Sequence, residues 1–301
     1  VAVVASVAGA SCSPLPAGKH GAQKHEGGRA HESVWVAFDD GSIAGIDTAT
    51  NTVFATVKVG ADPRAIVAAD RFVYVVVGGG GDAEGVVVVD AHRRSIARTV
   101  KVGADPAGVA VHGRDMLATN RGSARATAVD AASGRVHGAV DAGANPSAVA
   151  FSPNGKTAWI AGEDLVTVVD ASSDGTIAAL DAGARAIAFS TDGAKAYLAT
   201  SDGVKIVDAA AFMPIGEAVF HSVNAVAAVD GGFVALGDRS IDVVTSDDVK
   251  RIAIGGLDMA VAGGDAYVVD GDDVLVVDLA NGKTVARVHA GTGPRHITVA
   301  R

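Results

Sequence analysis

Cysteine occurs once, at Cys12, so this chain can form no internal disulfide and no multi-thiolate metal site. Aromatic residues are 4% of the sequence, so the core must be built mainly from Val, Ala and Ile, which suit closely packed sheets. Basic residues are too few for the acids: 25 Lys and Arg face 34 Asp and Glu, a net charge of −9. That balance excludes nucleic acid as a partner held by clustered positive charge, and it disfavours an anionic membrane surface. No strong catalytic signature is present: the sequence lacks HExxH, a CxxCH haem site, a GxSxG elbow and a phosphate-cradling Walker loop. Gly78–Gly81 is no phosphate cradle, because no helical pattern follows it; it reads as a loop between strands.

What is present is repetition. One phrase returns as GADPRAIVA at Gly60, GADPAGVAV at Gly103, GANPSAVAF at Gly143, GARAIAF at Gly183, SVNAVAAV at Ser222, GLDMAVA at Gly256 and GTGPRHITV at Gly291. The steps are 43, 40, 40, 39, 34 and 35 residues. A period near forty with four short strands per unit predicts β-propeller blades. In the unit from Gly143, strands are predicted at 147–152, 157–161, 165–170 and 176–182, separated by Gly, Asn, Asp and Pro turns. The third strand ends on aspartate at Asp47, Asp90, Asp130, Asp170, Asp208 and Asp278, and on Thr245 in one unit. Those aspartates are expected to bond backbone N–H groups of the next turn rather than to form a ligand ring.

The ends of the array predict how it closes. Residues 33–59 hold three strands and lack the opening phrase, whereas 291–301 hold one strand and lack the other three. Together they make one blade. The expected fold is therefore all-β: a seven-bladed propeller of four antiparallel strands per blade, with the C-terminal strand completing the N-terminal blade. An open solenoid would leave the split unit unexplained.

Before the repeats, residues 1–12 read as the end of a signal-peptide core, too short to cross a bilayer as a helix. Gly9-Ala10-Ser11-Cys12 resembles a bacterial lipobox, with Gly9 where a larger aliphatic residue is usual. Cys12 is then the lipidation site, and the chain is expected to be exported as a cell-envelope lipoprotein or a secreted protein, touching membrane only through that anchor. Residues 13–32 read as a flexible tether, and residues 33–301 as the propeller.

Gly-x-x-Pro followed by apolar residues stands at Gly60–Pro63, Gly103–Pro106 and Gly143–Pro146. Leu117-Ala118-Thr119-Asn120, Tyr197-Leu198-Ala199-Thr200 and Tyr267-Val268-Val269-Asp270 follow, with third-strand endings Val129–Gly134 and Val277–Gly282. Over residues 33–301 these motifs resemble the YVTN-type β-propeller repeats of bacterial and archaeal surface and secreted proteins. The resemblance implies the propeller fold. It leaves function open, since related propellers include binding scaffolds, lyases and lactonases.

The variable position of the phrase carries the functional expectation. Aligned units place Arg64, Ala107, Ser147, Arg185, Asn224, Asp258 and Arg295 where the first strand of each blade meets one mouth of the channel. Convergent polar groups at a concave surface are the natural binding site. Arginine's planar fork suits a carboxylate or phosphate. Arg64, Arg185, Asn224, Asp258 and Arg295 are thus the candidate ligand-binding residues. The alternative is that they are solvated or paired with neighbouring acids such as Asp62 and Asp105.

Acidic loops (Asp39, Asp40, Asp82, Glu84, Glu163, Asp164, Asp202, Asp238, Asp272, Asp273) should ring the same face. They would serve either to select a zwitterionic or cationic-tailed partner or simply to confer solubility. The expected function is a non-enzymatic, cofactor-free, monomeric interaction module of the bacterial envelope, binding a small anionic ligand or an envelope protein. The rival is a lyase- or lactonase-like enzyme with a divalent cation near the channel, His296 as base, and Asp258 and Asn224 as contacts. Asp270-Gly271-Asp272-Asp273 reads as an acidic turn rather than a Ca²⁺ loop.

Overall fold

Alternation of side chains along a strand decides which face each residue serves, and here both faces are apolar. In Ser33–Phe38, Val34 and Val36 pack with Tyr267, Val274 and Val276 of one neighbouring sheet. Trp35 and Ala37 pack with Ile66, Val73, Val75 and Val87 of the other. The core is therefore a series of layers between sheets, not one central cluster. The structure, a computed structural model, describes residues 32–80, 84–219, 223–246 and 248–300. Cys12, the lipobox-like segment and nearly all of the tether lie outside these residues.

Among the described residues, twenty-eight strands form seven four-stranded antiparallel sheets, the blades of a propeller. The innermost strands are Pro294–Ala300, Pro63–Ala69, Pro106–His112, Ala148–Phe151, Ala186–Phe189, Val223–Val229 and Met259–Ala262, in blades 1 to 7. Each meets its neighbours around the ring, and Met259–Ala262 meets Pro294–Ala300 to close it. Pro294–Ala300 pairs with Ser33–Phe38, so the last strand completes the first blade as the split repeat predicts. The outermost strands are mostly exposed on both faces, as in Lys283–Val288, because nothing packs outside them.

The aromatic residues are few but central. Trp35 stands edge-on to Phe54 at 5.6 Å between ring centres, and Trp159 to Phe189 at 5.4 Å. Both tryptophans are fully buried. Edge-to-face contacts of this kind add about 0.5–1.5 kcal/mol beyond area burial.

The motif residues have structural work. Thr119 Oγ1 accepts the Gly108 N–H at 2.8 Å, and buried Asn120 donates to Thr127 Oγ1 at 2.9 Å. All six strand-ending aspartates behave as expected. Asp208 Oδ1, for example, accepts the N–H groups of Ala210 and Ala211 at 2.9 and 2.8 Å, and Asp278 those of Ala280 and Asn281. Asp47, Asp90, Asp130 and Asp170 cap their turns in the same way. In blade 6, Thr245 Oγ1 takes over by accepting the Asp248 N–H.

Candidate functional site at the channel mouth

A β-bulge inserts one residue that has no partner across the ladder, and it re-aims that residue's side chain. The mouth positions of four blades are such residues. Register jumps from Pro63 to Ala65, from Pro106 to Gly108, from Val223 to Ala225 and from Pro294 to His296. Arg64, Ala107, Asn224 and Arg295 are thereby turned out of the sheets. In blades 4 and 5, Ser147 and Arg185 donate their N–H groups to Ala161 and Ala199, which also face the next residues, Ala148 and Ala186. The fold thus gathers the aligned positions on one face, together with the loops between second and third strands.

Most of these side chains are engaged. Arg295 makes a fork to Asp39, 2.6 Å from Nε to Oδ1 and 2.8 Å from Nη2 to Oδ2. That bond holds the Asp39 carboxyl below the usual carboxylate range. Arg64 bonds Asp62 at 2.7 Å, Asp105, and the Pro106 carbonyl at 3.1 Å. Its partial burial works against the charge, but the two aspartates outweigh it and raise the guanidinium above its ordinary value. The guanidinium lies against Gly78, in the space a side chain there would enter. Asn224 donates to Asp238 at 2.8 Å and to the Gly256 carbonyl at 2.9 Å. The acidic loops therefore neutralise much of the basic centre.

Asp258 is turned inward and is 2% exposed. Its carboxylate accepts the N–H groups of Met259 at 2.6 Å and Ile297 at 3.1 Å. His296 Nδ1 lies 3.4 Å from Asp258 Oδ2, and the ring is also buried. Burial pushes the Asp258 carboxyl up, and His296 and the backbone donors only partly offset this. The pair sits at the seam where blade 7 meets the closing strand.

Arg185 differs from the other two arginines. It is exposed, and among the described residues it has no carboxylate partner. It lines an open cleft of about 570 Å³ over blades 4 and 5. Arg121 and Lys205 line the same cleft, also without an ion pair among the described residues, with Glu163, Asp164, Asp181 and Asp202. Glu163 is held by Asn145 at 2.6 Å. Arg121 and Lys205 were not evident in sequence. The first follows a second strand and the second interrupts the apolar run Gly203–Asp208, and neither belongs to the aligned phrase.

The acidic turn at 270–273 is occupied by its own donors: Asp272 accepts the Gly293 N–H, and Asp273 binds Arg287 at 2.7 Å and His289 at 3.1 Å. Among the described residues, no three His, Cys, Asp or Glu side chains come together to hold a metal ion. Among the same residues, no helix is long and apolar enough to cross a membrane.

No family model matches the chain, and no curated protein matches it. Solved structures do. The hydrazine synthase of Kuenenia stuttgartiensis superposes with a TM-score of 0.68 at 20% identity, over 78% of this chain and 89% of that one. The Cps50 (Swd1) β-propeller domain of Myceliophteria thermophila gives 0.65 at 15% identity, over 79% and 89%. At these identities the likeness establishes the propeller fold and nothing further.

Proposed function

We propose that this chain is a YVTN-type, non-enzymatic binding module of the bacterial cell envelope that captures a small anion-bearing ligand at the channel mouth, over blades 4 and 5. The observation behind this reading is the contrast among the three mouth arginines. Arg64 and Arg295 are spent in ion pairs, whereas Arg185 stands unpaired in a cleft with Arg121 and Lys205. An arginine free of internal partners keeps its donors for a carboxylate or phosphate. The expected five-residue site thereby contracts to Arg185, with Arg64, Asn224, Asp258 and Arg295 as its frame. Export and a lipid anchor on Cys12 complete the reading, and an envelope protein bearing an exposed carboxylate would suit the same cleft.

The enzymatic alternative draws less support, since its base, His296, is buried against Asp258 and away from any bulk-accessible substrate. Calorimetric titration with phosphate, succinate and acetate tests the proposal. Arg185→Ala should weaken binding at least tenfold, and Arg295→Ala should leave it within threefold. Equal loss in both variants, or no binding of any anion-bearing compound, zwitterions included, to the wild type, would sink it. Cys12→Ser should move the protein from the membrane to the soluble fraction, and an unchanged distribution would remove the anchor.

A further inference from the structure

The cleft over blades 4 and 5 holds unpaired charges of both signs. Its cations, Arg121, Arg185 and Lys205, make no ion pair with its carboxylates. Asp164 and Asp181 have no hydrogen-bond or ionic partner among the described residues either. At two other mouth positions acid and base satisfy one another, as Asp39 does Arg295 and Asp62 does Arg64. In this cleft they are held more than 4.0 Å apart.

The order around the ring separates them. Arg121 stands on blade 3, Asp164 on the loop of blade 4, Asp181 on the link into blade 5, and Arg185 and Lys205 on blade 5 itself. A plain anion placed against Arg185 also meets the field of four lining carboxylates, and a plain cation meets that of three basic groups. At separations of several ångströms near a protein surface, such like-charge fields oppose binding. Only a molecule carrying both signs turns both sets to advantage.

We infer, on the basis of the binding role proposed above, that the ligand of this cleft is a small zwitterion. Its carboxylate or phosphate lies against Arg185 and Lys205, and its ammonium against Asp164 and Asp181. Asp164 and Asp181 then select the ligand's second group, beyond any part they play in solubility.

Titration of the full chain with ω-amino acids of three to eight carbons, set against carboxylates, dicarboxylates and amines of matching length, tests this. At least one ω-amino acid should bind ten times more tightly than the carboxylate, dicarboxylate and amine of its length. Arg185→Ala should abolish that binding. The double substitution Asp164→Asn with Asp181→Asn should remove the preference over the plain carboxylate while retaining carboxylate binding. If dicarboxylates bind as well as the zwitterions and still require Arg185, the anion-binding role stands and the zwitterion inference is wrong. If no compound binds below 10 mM, both fall. Circular dichroism of each variant separates loss of fold from loss of site.

Discussion

The carboxylate of Asp258, buried in blade 7, accepts the backbone N–H of Ile297 in the strand that closes blade 1. A residue at the aligned mouth position thus ties blade 7 to the closing strand. Ile297 presents this N–H on the edge of its strand that has no sheet neighbour, and a buried donor there needs an acceptor.

Asp258→Ala should therefore destabilise the fold by roughly 2–4 kcal/mol, because it strands the N–H groups of Met259 and Ile297. Asp258→Asn keeps an acceptor oxygen and should cost less. Urea unfolding midpoints at constant m-value measure both, and an alanine variant as stable as wild type would mean that the seam closes without this bond.

Stability should respond to acid in two opposed ways. The Asp130 carboxyl is held well below its ordinary value by Arg114 and by the side chain and N–H of Ser133, and Asp170 and Asp278 are lowered by their own turns. These groups bind protons more readily in the unfolded chain. Their stabilisation is full above the ordinary carboxylate range and is lost as pH falls through the lowered values. Asp258 is raised, so its contribution is fullest below the ordinary value and declines as pH rises through the folded one. Carbon-detected NMR titration should find Asp258 protonating above the ordinary carboxylate value and Asp130, Asp170 and Asp278 below it. Asp130→Asn should flatten the acid limb of a stability–pH curve.

Gly41 and Gly271 offer a matched pair of turn substitutions. Both have positive φ, +80° and +59°. A Cβ on Gly41 would stand 2.1 Å from the Gly60 carbonyl oxygen, whereas one on Gly271 meets nothing within 4 Å. Gly271→Ala should cost about 1–2 kcal/mol, the left-handed penalty alone. Gly41→Ala should cost more and should lower the melting temperature further. Similar losses would show that the loop at 39–41 yields easily.

Removing residues 291–300 deletes the innermost strand of blade 1 and bares the edge of Ser33–Phe38. An exposed apolar edge invites association. The shortened chain should elute as aggregate in size-exclusion chromatography, and a synthetic peptide of the missing strand added during refolding should restore the elution volume of the intact chain. A monodisperse, cooperatively unfolding truncation would contradict closure as the source of stability.

The repeat fold was legible because each blade solves the same packing problem with much the same local pattern: a first strand that is bulged in four blades, two strands apolar on both faces, and a turn capped by aspartate in six blades and by Thr245 in the seventh. The split unit even revealed ring closure, since a strand without its sheet must find one. The mouth positions were legible as a group because every one stands at the same place in the phrase. Their individual roles were not. Arg64, Arg185 and Arg295 look alike in sequence, and only the positions of Asp62, Asp105 and Asp39 distinguish a neutralised arginine from a free one.

Sequence by itself determined the number of blades, their order and the strand that closes them, because periodic apolar patterning and turn chemistry act over a few residues. Tertiary structure alone decided that Asp258 is a buried tie, that Arg185 is the unpaired one of the three mouth arginines, and that Arg121 and Lys205 share its cleft. Those properties depend on distances between loops some 20 to 250 residues apart. Such distances are set by how blades wedge around the channel, and no local pattern encodes them.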